Sequence, residues 1–176
     1  MDPKLEELGR GKIGKLLLNY ALPAIIATTA SSLYNIIDRI FIGQGVGPMA
    51  ISGLTLTLPI MNLAVAFGTL VGAGAAALVS IRMGQKRRAD AIRILGNALT
   101  LNIILGITFS VFSLIYLDEI LRIFGASEQT LPYAREFMQI ILVANVIPHI
   151  FYGLNNVMRA SGYPAKAMIS ILLTIA

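Results

Sequence analysis

The chain has 176 residues, 56% of them hydrophobic and 13% charged, with a net charge of +5 and a mean hydropathy of +0.77. Soluble domains carry about 25% charged residues, so this chain lacks the polar surface to face water and the bilayer is its solvent. The absence of cysteine and the single histidine, His149, exclude disulfides, thiolate metal sites and a His-rich metal cluster. The basic residues fall between apolar runs, which reads as membrane topology and not as nucleic-acid binding.

Met1 to Lys15 is a polar leader of mixed charge. The apolar run that follows is longer than the core of a cleaved signal, so it is read as retained. A spanning helix needs about 20 mostly apolar residues. The first run covers 16–42; it is uncharged from Leu16 to Ile37, then carries Asp38 and Arg39, and Gly43-Gln-Gly-Val-Gly-Pro48 breaks it. A second run covers 49–81 without a charge, and Arg82 to Arg93 is a basic loop. The third run ends at Leu117, covering 94–117, and Asp118 to Thr130 is polar. The fourth covers 133–158, with Pro132 suited to a first helical turn. After the turn from Arg159 to Lys166, a fifth run over 165–176 has begun. It is too short for the ~30 Å of hydrocarbon, so the chain is expected to be a piece of something longer.

Basic residues assign the sides. Lys4, Arg10, Lys12 and Lys15 precede the first run; Arg82, Lys86, Arg87, Arg88 and Arg93 join the second to the third. Arg159 and Lys166 join the fourth to the fifth, whereas the alternate loops hold only Arg122. By the positive-inside rule the N-terminus is expected in the cytoplasm.

Asp38 carries the sharpest chemical signal. A charge within the bilayer costs at least about 2.5 kcal/mol, so such residues face a cavity or a partner. Ser31, Asn35 and Asp38 follow i, i+4, i+7 spacing, with Thr28 one turn earlier, and form a polar stripe on an otherwise apolar helix. The plain alternative places Asp38 at the outer headgroups or pairs it with Arg39. Adjacent residues point about 100° apart on a helix, which makes that pair poor. Pro23 removes the amide that would bond the Asn19 carbonyl, giving a static kink or a moving hinge; Pro59 and Pro148 carry the same two readings.

Gly68-x-x-x-Gly72 and the small residues Gly74 to Ala77 favour close helix packing. In the fourth run Asn145, His149, Tyr152 and Asn156 recur at i, i+4, i+7, i+11, a polar face that lines a cavity or bonds between helices. Neither a Walker loop nor HExxH nor GxSxG occurs, and one intramembrane carboxylate makes no catalytic pair. The pattern points to transport rather than to an enzyme.

At Tyr34-Asn-Ile-Ile-Asp38-Arg-Ile-Phe-Ile-Gly43, with Pro23 fifteen residues before the acid, the sequence resembles the multidrug and toxic compound extrusion (MATE) family of secondary antiporters. Pro59, Gly72-Ala-Gly74, Ser80-Ile-Arg-Met-Gly84 and Met158-Arg-Ala-Ser-Gly162 fall in the order of that family's landmarks. The nearest subgroup is the prokaryotic one related to the DNA-damage-inducible efflux proteins. The resemblance implies an all-α polytopic bundle, the N-terminal part of a twelve-helix, two-lobe fold whose C-terminal lobe is not in this chain. It implies a multi-pass protein of the cell membrane that exports small organic, often cationic, molecules in exchange for H+ or Na+. No cofactor, metal or nucleic acid is implied. Asp38 would be the ion-coupling carboxylate and Pro23 the hinge of the first helix. Thr28, Ser31, Asn35, Asn145, Tyr152 and Asn156 are expected to line the cavity. Arg39 stands where many members carry a small residue such as threonine. A lipid-linked oligosaccharide flippase of the same superfamily and a non-transporting membrane scaffold are the alternatives; the flippase would favour an arginine-lined cavity, for which Arg39 is the only candidate.

Overall fold

The computed structural model describes residues 12–175, so the leader cations Lys4 and Arg10 and the last residue of the fifth run, Ala176, lie outside the described residues. Seven helices and no strand occur among them. Helix α1 spans Ile13–Gly45, α2 spans Pro48–Gly84 and α3 spans Arg88–Ile115. At 1.5 Å per residue all three exceed the ~30 Å hydrocarbon layer. Between α1 and α2 the chain turns at Gly47, whose φ of 105° lies where only glycine is unstrained. Pro48 then occupies the first helical position of α2, where its missing N–H costs nothing. Helix α3 starts ahead of the third apolar run, because Asp90 sits in its first turn and pairs with Arg87.

A short helix α4, Leu117–Ile123, follows and buries Leu117 and Leu121. The fourth apolar run is two helices, α5 over Leu131–Ala144 and α6 over Val146–Ala160, bent by 56° where they meet. Pro148 explains the break: it offers no N–H to the carbonyl of Ala144, four residues back, and its ring crowds that oxygen. Helix α5 accordingly ends at Ala144. Helix α7 begins at Pro164 and runs to Ile175.

Helix α2 is the centre of the bundle. It packs most extensively on α6 and α3, and then on α5. One core, towards the α4 end, joins Ile60, Leu117, Leu121, Ala134, Met138 and Leu142. A second, towards the basic loops, joins Ala75, Ala76, Val79, Ala91 and Val157. Lipid tails are as apolar as leucine, so close packing and not oil-from-water transfer holds these helices together. Small residues make that approach possible: Gly68 faces the backbone of His149, and Gly72 faces that of Gly153. Helix α1 stands apart from this core. It runs along α7 and touches α2 only lightly, and Ala27 is its one buried residue among those described.

Candidate functional site

The polar stripe on α1 satisfies most of its hydrogen bonds within its own helix. Thr28 Oγ1 donates to the carbonyls of Ala24 and Ile25, and Ser31 Oγ donates to that of Ala27 at 2.9 Å. Asn35 Nδ2 donates to the Ser31 carbonyl at 2.8 Å. Returning the donor to the backbone lets a hydroxyl or amide sit in an apolar setting without stranding its proton. Asp38 lies half-buried one turn beyond Asn35. It has no hydrogen bond or ion pair among the described residues. Its neighbour Arg39 opens onto a different depression, beside Gly43, Pro48 and Ile51. The carboxylate thus sits on a sparsely packed helix with neither oxygen in a hydrogen bond or ion pair among the described residues.

The stripe meets the bent fourth span at one place. Ser31 and Tyr152 line the same cavity, of about 270 Å³, with Pro148, Phe151, Ile171 and Thr174 around them. Three helices contribute: α1, α6 and α7. The other polar residues of the fourth span turn elsewhere. Asn145, 4% exposed, sits at the bend and donates from Nδ2 to Ser110 Oγ on α3 at 3.2 Å. Asn156 is half-buried beside Gly72 of α2.

His149, 1% exposed, lies between Gly68 of α2 and Gly106 of α3, with the Phe109 ring 6.3 Å away. Its Nδ1 is 3.0 Å from the Asn145 carbonyl. A carbonyl only accepts, so Nδ1 carries the proton and Nε2 presents a lone pair when the ring is neutral. That Nε2 has no partner among the described residues, and neither has Asn102 Oδ1 on α3. Asn102, Gly106, Ser110 and Ser113 are all buried at i, i+4, i+8, i+11 along α3. Sequence reasoning passed over this stripe, although the spacing was there to find: small and polar residues on one helical face. It also passed over Asn155. That buried amide donates to the Ala167 carbonyl and Ser170 Oγ and accepts from Arg159 Nε, tying α6 to α7.

Beyond the apolar spans, Arg122 forms a 2.7 Å ion pair with Glu128, and Arg135 Nε lies 3.3 Å from Asp118 Oδ1. The Arg122 guanidinium is raised above its ordinary value, first by the hydrogen bond to Glu128 and then by that residue's charge. Among the described residues no group of three or more His, Cys, Asp or Glu side chains is placed to hold a metal ion.

Apolar spans around an internal polar seam, with a half-buried acid on the most loosely packed helix, define a polytopic helical membrane protein. The MatE family model matches residues 23–175, and the chain belongs to that family. It is 29% identical over 174 residues to the multidrug export protein MepA of Staphylococcus haemolyticus, covering 99% of this chain and 38% of that protein. Among solved structures it is similar to MATE in the straight conformation, with a TM-score of 0.86, 25% identity and 96% of this chain covered. MATE in the bent conformation is matched with a TM-score of 0.87, 25% identity and 98% coverage. The chain spans 37% and 38% of those two solved chains. It therefore has the fold of the N-terminal part of a MATE transporter, and its relatives are exporters rather than enzymes.

Proposed function

We propose that these residues form the N-terminal lobe, incomplete at its fifth span, of a secondary multidrug antiporter in which Asp38 binds the coupling ion. The observation that carries this reading is the state of Asp38: half-buried on α1, unpaired among the described residues, and one turn beyond Asn35. An intramembrane carboxylate without a protein counter-charge has two ways to lower its energy, taking up a proton or binding a metal cation. Either H+ or Na+ meets that need. Relatives named as multidrug exporters suggest the class of cargo, small organic molecules, and the positive-inside pattern supports a cytoplasmic N-terminus.

Coupling requires that ion occupancy favour one shape of the lobe over another. Helix α1 is suited to this because it leans on α7 and barely on the α2 core. Pro23 loosens it below the stripe. A change of its bend would move Ser31 relative to Tyr152 and reshape the cavity they share. Asn145 and Asn156, set against α3 and α2, then stay with the bundle, and Thr28 and Asn35 travel with α1.

The test uses the full-length protein in sealed vesicles. Asp38→Asn should abolish export driven by an imposed ion gradient while membrane insertion and folding persist. Export at the parent's rate would remove Asp38 from the mechanism.

A further inference from the structure

A second cavity, of about 500 Å³, lies at the opposite end of α1 from Asp38. Leu16, Asn19, Leu22 and Pro23 form one wall, and Tyr163 and Lys166 form the other at the start of α7. We propose that this cavity binds an anionic phospholipid, with its phosphate at the lysines and its upper acyl chain along the α1 leucines.

Position is the first argument. Lys12 and Lys15 immediately precede the apolar part of α1, and Arg159 and Lys166 flank the turn that faces it. Cations bordering an apolar run sit at the headgroup layer, so the cavity opens where lipid phosphates are. Charge is the second. The Lys166 ammonium is held 4.9 Å over the Tyr163 ring at the cavity rim. Lys15 lies one turn before Asn19 on the same face of α1. The Ala165 and Lys166 N–H groups, in the first turn of α7, have no intrahelical acceptor and add to the positive field. No acid occurs within residues 12–23 or 155–175, the segments that build the cavity and its rim. A zwitterionic headgroup would find no carboxylate there for its ammonium. A soluble phosphate would gain nothing from the leucine wall. An anionic phospholipid uses both.

The chemistry of Pro23 adds a further acceptor. It has no N–H for the Asn19 carbonyl, and both residues line the cavity. That oxygen can accept from the hydroxyls of a glycerol headgroup.

The experiment uses the full-length protein with a Leu18→Trp reporter; Leu18 borders the cavity and is 67% exposed, and residues 1–176 contain no tryptophan. The protein is placed in phosphatidylcholine vesicles containing phosphatidylglycerol as a minor component. Either lipid is brominated in its acyl chains, and quenching is read as the difference between reporter and parent. Phosphatidylglycerol should quench several-fold more strongly than the same fraction of phosphatidylcholine. Each of Lys15→Gln and Lys166→Gln should lower that selectivity about five-fold, the effect of one cation near an anionic surface. Equal quenching by both lipids overturns the proposal, as does selectivity that survives loss of both lysines. Absence of quenching by either lipid also overturns it, because protein then fills the cavity. Native mass spectrometry of the protein without the reporter, with and without Lys166→Gln, gives a second readout: the lysine variant should lose co-purified phosphatidylglycerol, and retention sinks the site. Export measured alongside separates this proposal from the role of Asp38, since lipid selectivity can fail while ion-driven export persists.

Discussion

Gly72 on α2 and Gly153 on α6 meet backbone to backbone: a Cβ built on Gly72 would lie 2.7 Å from the Gly153 Cα. The Asn156 side chain nearby could give way, but the nearest obstructing atom is main chain, so neither helix can yield locally. Gly72→Ala should therefore destabilise the lobe by about 1–3 kcal/mol, the usual cost of overpacking. Gly74, two residues on, has nothing within 4 Å of its virtual Cβ. Gly74→Ala should be neutral or slightly stabilising, because alanine is the better helix former by about 1 kcal/mol. Thermal melting of the full-length protein in detergent compares the two. Equal midpoints would mean that α2 and α6 do not approach as closely as this.

The Asn145–Ser110 hydrogen bond crosses from the bend of the fourth span to α3 in a buried setting. Interhelical hydrogen bonds in membranes average about 0.6 kcal/mol and reach about 1.7 kcal/mol. A double-mutant cycle of Asn145→Ala and Ser110→Ala should give a coupling within that range. Additive losses would show the two side chains to be energetically independent.

Helices were the legible part of this sequence. Charge-free runs of Leu16 to Ile37 and Met49 to Ile81 leave no other solution in lipid, where every backbone group must bond within its own segment. What the spacing could not give was direction after a bend. Asn145, His149, Tyr152 and Asn156 share one face of a straight helix, but the chain breaks at Asn145. Asn145 and His149 then turn into the bundle while Tyr152 opens towards α1. Pro148 announced a kink without its size or side. The α3 stripe of Asn102, Gly106, Ser110 and Ser113 was hidden differently, because serine and glycine in a membrane helix read first as packing residues. For Asp38, helix geometry already made a pair with Arg39 poor; the three-dimensional arrangement adds that Arg39 opens onto a depression of its own beside Gly43, Pro48 and Ile51.

At the polar end, the Arg122–Glu128 pair is exposed, and bulk water screens it. Because the folded state raises the Arg122 pKa, any stability it supplies is complete below the unfolded value and is lost only as pH rises through the higher folded one. Both lie above the working range. Glu128→Gln should leave the melting midpoint, and its profile between about pH 5 and pH 9, unchanged. A midpoint that fell in this variant would assign the pair a structural role.

Pro23 decides whether α1 is a strut or a hinge. Proline in a helix interior costs about 3 kcal/mol relative to alanine, partly because the carbonyl four residues back loses its donor. Pro23→Ala would return an N–H to the Asn19 carbonyl and regularise the helix between its basic end and the polar stripe. The folded lobe should then melt at a higher temperature. If ion occupancy at Asp38 acts by changing the bend of α1, the same substitution should slow gradient-driven export several-fold, because the straight form is favoured whether or not the ion is bound. The two measurements belong together on the full-length protein in vesicles. A higher midpoint with undiminished export would make Pro23 a static kink, and movement of α1 would then have to arise elsewhere, at its light contact with α2.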